Sequence, residues 1–178
     1  MDIEQAIQLA IKGNSTAQRF LYEKYKVQLY TVCLRYGRDR SEAEDILQEG
    51  FIKILKDLHQ YTGKGSIGGW MRKVMVNTAL QYLRKWKKDW NHLDSQDYQE
   101  AFQVSETVFH KLGLEELTRL IQQLPAGYRV VFNLYVIEGY AHKEIADLLG
   151  VSENTSKTQL FKAKAALRKK LEKQLLSR

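Results

Sequence analysis

Residues 139–167 read GYAHKEIADLLGVSENTSKTQLFKAKAAL and contain the clearest structural motif of the chain. Its apolar spacing predicts a first helix over His142–Leu149. Gly150 follows where a tight turn between two helices needs a positive φ, which glycine adopts without strain. Ser152 can then cap a second helix that begins at Glu153. The stretch therefore predicts a helix-turn-helix.

The second helix of this motif has two chemically different faces. Its inner face is formed by Ser156, Leu160, Ala163, Leu167 and Leu171. A second face, at steps of three and four residues, carries Asn154, Lys157, Thr158, Phe161 and Lys162. Asparagine and threonine can meet base edges, lysine can meet guanine or phosphate, and an exposed phenylalanine can touch a thymine methyl. This face indicates a reader of duplex DNA; the alternative is a helical hairpin with a polar outer face.

An amphipathic helix is predicted further upstream, over residues 41–58. Ser41 and Glu44 have the spacing of a capping box. One side is apolar and consists of Ala43, Ile46, Leu47, Phe51, Ile54, Leu55 and Leu58. The opposite side carries Asp45, Gln48, Glu49 and Lys53. Such a helix packs one side on a core, and its polar side is interpreted as a solvated face rather than a metal site.

A glycine-rich loop, YTGKGSIGG at 61–69, precedes a predicted helix from about Trp70 to about Trp90. The segment 70–88 holds six basic residues and no acidic one. Basic charge follows phosphates while aromatics and a loop receive unstacked bases, so this pattern suits single-stranded nucleic acid. The alternative is a solvated helix face, with Asn77 bonding a neighbouring backbone group.

Composition excludes several classes of protein. The 178 residues carry a net charge of +7 and a single cysteine, Cys33, which rules out a disulfide scaffold or a cysteine zinc cluster. No run of about 20 apolar residues could span a membrane, and the acidic start MDIE is unlike a signal peptide. We therefore expect a cytoplasmic protein.

The charge pattern and the helical periodicity predict an all-α chain with two small helical domains. Residues 1–92 have a net charge of +6, residues 93–113 of −3, and residues 114–178 of +4. The acidic middle segment is weakly patterned and is interpreted as a linker. The C-terminal domain contains the helix-turn-helix. Two separated basic segments favour a nucleic-acid binder.

Together these segments resemble bacterial RNA polymerase sigma factors of the minimal, extracytoplasmic-function type. AEDILQEGFIKIL at 43–55 is similar to the family's region 2.1–2.2, which docks the polymerase clamp helices. WMRKVMVNTALQYLRK at 70–85 is similar to region 2.3–2.4, which melts and reads the minus-ten promoter element. Residues 124–167 are similar to region 4, which reads the minus-thirty-five element. The resemblance covers nearly the whole chain.

The resemblance implies roles for individual residues. The residues implied to contact core polymerase are Asp45, Gln48, Glu49 and Phe51. Contacts to minus-ten DNA fall to Tyr61, Lys64, Ser66, Trp70, Arg72, Lys73, Asn77, Arg84 and Lys85. Contacts to minus-thirty-five DNA fall to Asn154, Thr155, Lys157, Thr158, Gln159, Phe161 and Lys162. Gly50 departs from the family, which more often has a larger residue there.

The implied partners are core RNA polymerase, promoter DNA (duplex and melted non-template strand) and an anti-sigma factor, which in this family is often membrane-anchored. The resemblance implies no catalytic residue, no metal and no cofactor. Two other functions stay open at this point. A dimeric helix-turn-helix regulator explains 139–167 but leaves 41–90 unused. A DNA-processing enzyme is disfavoured because the four histidines are scattered without metal-ligand spacing and no P-loop or GxSxG occurs.

Overall fold

The computed structural model describes residues 1–84 and 113–176 and divides the chain into two compact units, Met1–Tyr82 and Leu83–Arg178. All regular secondary structure in the described residues is helical, which confirms the all-α prediction. The predicted linker at 93–113, except for its last residue, lies outside the described residues. So does the predicted helix end at Trp90. The domain limits at 92 and 114 therefore stay predictions.

The N-terminal unit is built on three helices that pack in chain order, followed by a fourth. They are α1 (Ile3–Ile11), α2 (Ser15–Tyr36), α3 (Arg40–Asp57), a short 3₁₀ turn (Leu58–Gln60) and α4 (Ile67–Arg84). Helix α2 packs on both α1 and α3. Side chains cap the first two helices: the Asp2 carboxylate accepts from the Gln5 amide at 2.8 Å, and Asn14 Oδ1 accepts from the Ala17 amide at 2.9 Å.

The start of α3 differs from the prediction. The helix is capped by Asp39, whose Oδ1 accepts the Glu42 amide at 2.9 Å, so the predicted capping box at Ser41 and Glu44 is wrong. Glu42 is buried and its carboxylate accepts from the Arg38 amide at 2.6 Å and from Arg38 Nε at 3.1 Å. The acidic residue of the cap is therefore Glu42, two residues before the Glu44 that the sequence spacing predicted.

The predicted apolar side of α3 forms the core of this unit. Six of its seven members are buried, and Leu55 is half-buried. Phe51 meets the Tyr22 ring edge-on, with centroids 4.8 Å apart. Cys33 on α2 is fully buried, and burial raises the pKa of its thiol to about 12. The unit therefore has a continuous core that fixes α3 against α2.

Gly50 allows α4 to approach α3 closely. A Cβ built at Gly50 would overlap Met75 Sδ and lie 2.7 Å from Met75 Cε. Met75 is fully buried, so its thioether has no solvent space to move into. At position 50, where the family more often has a larger residue, this chain has glycine, and the long Met75 side chain of α4 fills the space.

We expect Gly50→Ala to lower the free energy of unfolding by about 1–2 kcal/mol. Overpacking costs about 1–3 kcal/mol, which exceeds the 0.5–1 kcal/mol that alanine gains over glycine in a helix. Urea unfolding measures the difference. In a Met75→Ala background the same change should stabilise instead, since the clash is gone. Equal destabilisation in both backgrounds would contradict this packing.

In the described part of the C-terminal unit, three α-helices pack against a fourth, α8. They are α5 (Leu114–Gln122), α6 (Ala126–Phe132), α7 (His142–Leu149) and α8 (Glu153–Leu176). Gly150 ends α7 with φ +66, and its amide bonds Ala146 O at 2.9 Å. Ser152 Oγ accepts the Thr155 amide at 2.9 Å and caps α8. These observations confirm the predicted helix-turn-helix, and the five predicted inner residues of α8 are all buried.

A buried arginine joins α5 to α6. Arg129 is 1% exposed, and its Nη1 donates to Gln122 O at 2.9 Å and to Leu124 O at 3.4 Å. The Gln122 carbonyl belongs to the last turn of α5, where helices leave acceptors without partners, and Leu124 lies two residues beyond the helix end. Helix α6 begins at Ala126, directly after Pro125, and continues as a π turn over Asn133–Ile137.

Candidate nucleic-acid and partner interfaces

The polar side of α3 forms a row, called here the docking face, in which Asp45, Gln48 and Ile52 are exposed and Glu49 is half-buried. The steps of three and four residues place them on one side of the helix. Ile52 is 63% exposed and was missed by the sequence analysis. Its position seven residues after Asp45 is the signal that could have found it. An exposed isoleucine among polar residues suits a protein partner.

Phe51 does not belong to this surface. It is 5% exposed and packs against Tyr22. The prediction that Phe51 contacts a partner is therefore corrected: its side chain supports α3 from inside. The physical reason is its position on the apolar side of the helix, three residues before the fully buried Ile54.

Two side-chain links join the docking face to the end of α4. Lys53 Nζ donates to Glu49 Oε1 at 3.1 Å and to Gln81 Oε1 at 2.7 Å. Tyr82 OH lies 3.4 Å from Asp45 Oδ2. Partial burial, and then the negative charges of Glu42 and Asp45, raise the pKa of Tyr82. The carboxylates of the docking face are thus oriented before any partner arrives.

The loop before α4 is folded on itself. Tyr61 OH donates to Gly65 O at 2.7 Å, and the Tyr61 and Trp70 ring centroids are 6.0 Å apart. Ser66 Oγ accepts the Gly69 amide at 3.1 Å. Helix α4 therefore begins at Ile67, before the predicted start, and the last residues of the predicted loop belong to its first turn. The predicted minus-ten residues Tyr61, Lys64, Ser66 and Trp70 surround this helix start.

The remaining minus-ten residues lie along α4. Lys73, Asn77 and Arg84 are exposed at positions that share one side of the helix, and Arg72 is half-buried beside them. Asn77 faces solvent rather than the core, which favours the nucleic-acid interpretation over a structural one. Lys85 lies outside the described residues. The structure therefore brings a cation row and an amide onto one helix face.

The outer side of α8 carries the predicted base readers, called here the reading face: Asn154, Lys157, Thr158, Phe161 and Lys162. Asn154, Lys157 and Phe161 are exposed, and Thr158 and Lys162 are half-buried. Lys157 pairs with Glu153 at 2.8 Å, and this contact lowers the pKa of the Glu153 carboxyl. The Thr155 hydroxyl lies 2.8 Å from Ser152 Oγ, so it takes part in the cap of the helix.

Gln159 does not lie on the reading face. It is 5% exposed, and a Cβ added to Gly127 of α6 would lie 3.0 Å from Gln159 Oε1. The prediction that Gln159 contacts minus-thirty-five DNA is therefore corrected. One residue corresponds to about 100° of helix rotation, so Gln159 turns away from Thr158 and toward α6. The lack of a side chain on Gly127 leaves the room that it occupies.

His142, at the start of α7, connects three segments of the helix-turn-helix and was not predicted. Its ring stacks on Tyr135 with centroids 4.4 Å apart, and its Nδ1 lies 2.9 Å from Ser156 Oγ on α8. Burial first, and then the positive charge of Lys157, lower the pKa of its imidazole, against a weaker opposite effect of Glu153. A neutral His142 therefore holds the reading helix against the turn before it.

The C-terminal unit should lose stability in mild acid. Because folding lowers the pKa of His142 from 6.5, the unfolded chain binds the proton more readily and stability falls as pH drops below that value. Hydrogen exchange of α7 and α8 amides in the full chain, compared at about pH 7.5 and 5.5 and corrected for intrinsic rates, measures this. His142→Gln should remove the effect, and His59→Gln should keep it. An unchanged pH dependence in His142→Gln would contradict the assignment.

Comparison with known proteins agrees with these two units. Residues 21–89 match the family description "Sigma-70 region 2", and residues 114–167 match "Sigma-70, region 4". The ECF RNA polymerase sigma factor SigM of Bacillus subtilis is 30% identical over 83% of this chain and 91% of its own. SigW of the same organism is 30% identical over 96% of this chain and 97% of its own.

A solved structure shares the fold. The sigma factor RpoE of Bartonella quintana, in complex with the anti-sigma factor NepR, aligns with a TM-score of 0.51 and 17% identity over 86% of this chain and 96% of that chain. In the part that the structure describes, no helix is both long and apolar enough to cross a bilayer. Nor do three or more metal-ligating side chains gather there. The chain belongs to the extracytoplasmic-function family of RNA polymerase sigma factors.

Proposed function

We propose that this sigma factor attaches to core RNA polymerase through the docking face and selects promoters with α4 and α8. The observation that supports the proposal is that one chain holds two helices with exposed basic and polar side chains, α4 and α8, together with an acidic row on α3. A repressor or activator that binds duplex alone would need only the helix-turn-helix. Helices α4 and α8 instead suit the two elements of a promoter.

The docking face supplies both charge and an apolar anchor. Asp45 and Glu49 are held by Tyr82 and Lys53, so little side-chain entropy is lost when a basic partner surface binds. Ile52 follows them, three residues after Glu49 on the same side of the helix, and adds exposed apolar area to the row. The acidic residues set orientation and association rate, and the isoleucine adds affinity.

Helix α4 and its loop are suited to separated strands. Lys73, Arg72 and Arg84 neutralise the phosphates of the non-template strand, and Asn77 can bond a base edge on the same side. Tyr61 and Trp70 offer rings beside the loop for an unstacked base. Flipping a base costs a few kcal/mol, and these contacts offset that cost. The unit lowers the barrier to strand separation by binding the open state.

Helix α8 is suited to closed duplex. Its N-terminal half presents Asn154, Lys157 and Phe161, and this end of a recognition helix is the one that meets base edges in the major groove. His142 and the Ser152 cap fix its orientation. Contacts at α8 thus place the polymerase on the promoter, and α4 then acts where the strands open.

The protein acts by binding and carries out no covalent chemistry. Its work takes place in the cytoplasm, where core polymerase and promoter DNA are found. RpoE of Bartonella quintana is bound by an anti-sigma factor, and we expect a comparable inhibitor here that covers the docking face or the reading face. Such an inhibitor would hold the sigma factor inactive until a signal removes it.

The test combines the chain with sigma-free bacterial core polymerase. We expect co-elution on a sizing column and transcripts from discrete start sites on genomic DNA. Core polymerase without the chain is the control and should give no discrete starts. If a folded chain neither co-elutes nor directs starts with its cognate core, the proposal fails, and duplex binding without polymerase becomes the next measurement for a dimeric regulator.

A further inference from the structure

Helix α8 continues beyond the family match. The match to region 4 ends at residue 167, whereas α8 runs to Leu176. At 1.5 Å per residue the extra turns add about 13 Å to the helix. Neither the family match nor the reading face accounts for this extension.

The extension is held firmly in place. Leu171 is buried on its inner side, one turn after the buried Leu167, and Lys170 Nζ donates to Gln123 Oε1 at 3.1 Å. These contacts continue the packing of α8 on the rest of the unit. The outward side chains of the extension therefore have a fixed direction relative to the reading face.

Two outward lysines of the extension continue a line that starts on the reading face. Lys169 and Lys173 lie seven and eleven residues after Lys162, close to two and three helical turns. We call Lys162, Lys169 and Lys173 the cationic stripe. Arg168 is neutralised by Glu172 at 2.8 Å, whereas Lys169 and Lys173 are exposed and form no ion pair within the described residues.

The distances along the helix match the width of a groove. Lys169 lies about 10 Å and Lys173 about 16 Å along the axis from Lys162, and the major groove of B-DNA is about 12 Å wide. If the reading face sits in the groove, the extension passes the groove edge. Sugar-phosphate backbone is the surface found there.

We propose that Lys169 and Lys173 bind backbone phosphates of duplex DNA flanking the minus-thirty-five element, outside the bases that α8 reads. This inference rests on the proposed function of α8. Phosphate is favoured over an acidic protein surface because protein interfaces are depleted in lysine and enriched in aromatic residues and arginine. On the outward side of the extension, the described side chains include no aromatic one, and the sole arginine is already paired.

The experiment compares holoenzymes on a promoter fragment obtained from the start-site mapping above. Lys169→Ala/Lys173→Ala is the test variant, and Lys169→Arg/Lys173→Arg preserves both charges. Lys12→Ala/Lys24→Ala, at exposed positions of the N-terminal unit, is the matched loss of two charges. Binding is measured by fluorescence anisotropy between 50 and 200 mM salt, and phosphate contacts are mapped by ethylation interference.

Each phosphate contact contributes about 0.9 to the slope of log K against log salt. The alanine variant should therefore have a slope smaller by about 1.8, and from 50 to 200 mM the wild type should lose about 12-fold more affinity than the variant. Interference at one or two phosphates beside the element should disappear, while interference at the element stays. The arginine variant and the Lys12/Lys24 control should match the wild type.

Two results would overturn the assignment. One is an alanine variant with the wild-type slope and interference pattern. The other is a variant whose transcription falls while its DNA slope is unchanged, which would point to an acidic protein partner. If the wild-type holoenzyme itself fails to form or to bind promoter DNA, the proposed function has failed, and this outcome is visible before any variant is compared.

Discussion

Reversing two charges on the docking face, Asp45→Arg/Glu49→Arg, should weaken binding to core RNA polymerase by about 100-fold or more. Truncating one partner of a charge pair that is buried and hydrogen-bonded in the complex costs about 2–5 kcal/mol, and reversal adds repulsion to that loss. The two carboxylates are also the groups that Tyr82 and Lys53 orient. Titration of labelled sigma factor with core polymerase, at one fixed salt concentration, measures the change.

The matched control is Glu4→Arg/Glu23→Arg, which changes net charge by the same amount at exposed positions of α1 and α2. It should bind core within a factor of about three of the wild type, because charges away from an interface act only through screened long-range fields. Circular dichroism should show both proteins folded. Equal losses of affinity for core polymerase in the two double variants would mean that net charge, and not the docking face, controls association.

Removing the buried arginine, Arg129→Ala, should unfold the C-terminal unit at about 37 °C. The change leaves the carbonyls of Gln122 and Leu124 without their donor, each at about 1–3 kcal/mol, and adds a cavity. We expect a total of about 3–5 kcal/mol. At about 0.05–0.15 kcal/mol per residue, a unit that spans 83–178 has about 5–14 kcal/mol in all, so the loss removes a large part of its stability.

Thermal melts and limited proteolysis of the full chain separate the two units. The N-terminal unit should resist protease while α5 to α8 are cut, and transcription that depends on a minus-thirty-five element should be lost. Arg119→Ala is the control: its side chain is 75% exposed and only loosely paired with Glu115 at 3.9 Å, so it should cost about 0.5 kcal/mol at most. A stable Arg129→Ala unit would show that the Gln122 and Leu124 carbonyls find other donors.

The helix-turn-helix was predictable because local rules agree there. Gly150 satisfies a backbone angle that few other residues adopt, Ser152 caps the next helix, and the leucine spacing fixes which side is inward. The start of α3 was not, since Asp39 with Glu42 and Ser41 with Glu44 have the same spacing. The choice between them depends on burial of Glu42 and its bonds to Arg38, which sequence spacing does not contain.

The remaining errors have non-local causes. Gln159 is buried because Gly127, on another helix, leaves space for it. Arg129 has the sequence features of a surface cation, and only the approach of the α5 C-terminus makes it a buried donor. Ile52 is an apolar residue on the polar side of α3, so the amphipathic pattern does not predict that it is exposed. For Gln159 and Arg129 the missing information is which helix lies opposite.

Cys33 has a practical value for following promoter opening in real time. It is the only cysteine in the sequence, it is fully buried, and its thiol pKa of about 12 leaves almost no thiolate at neutral pH. Maleimide dyes should therefore not react with Cys33, and they should label a cysteine introduced at an exposed site such as Val27. Fluorophores can be attached to this sigma factor without first deleting a native thiol from its core.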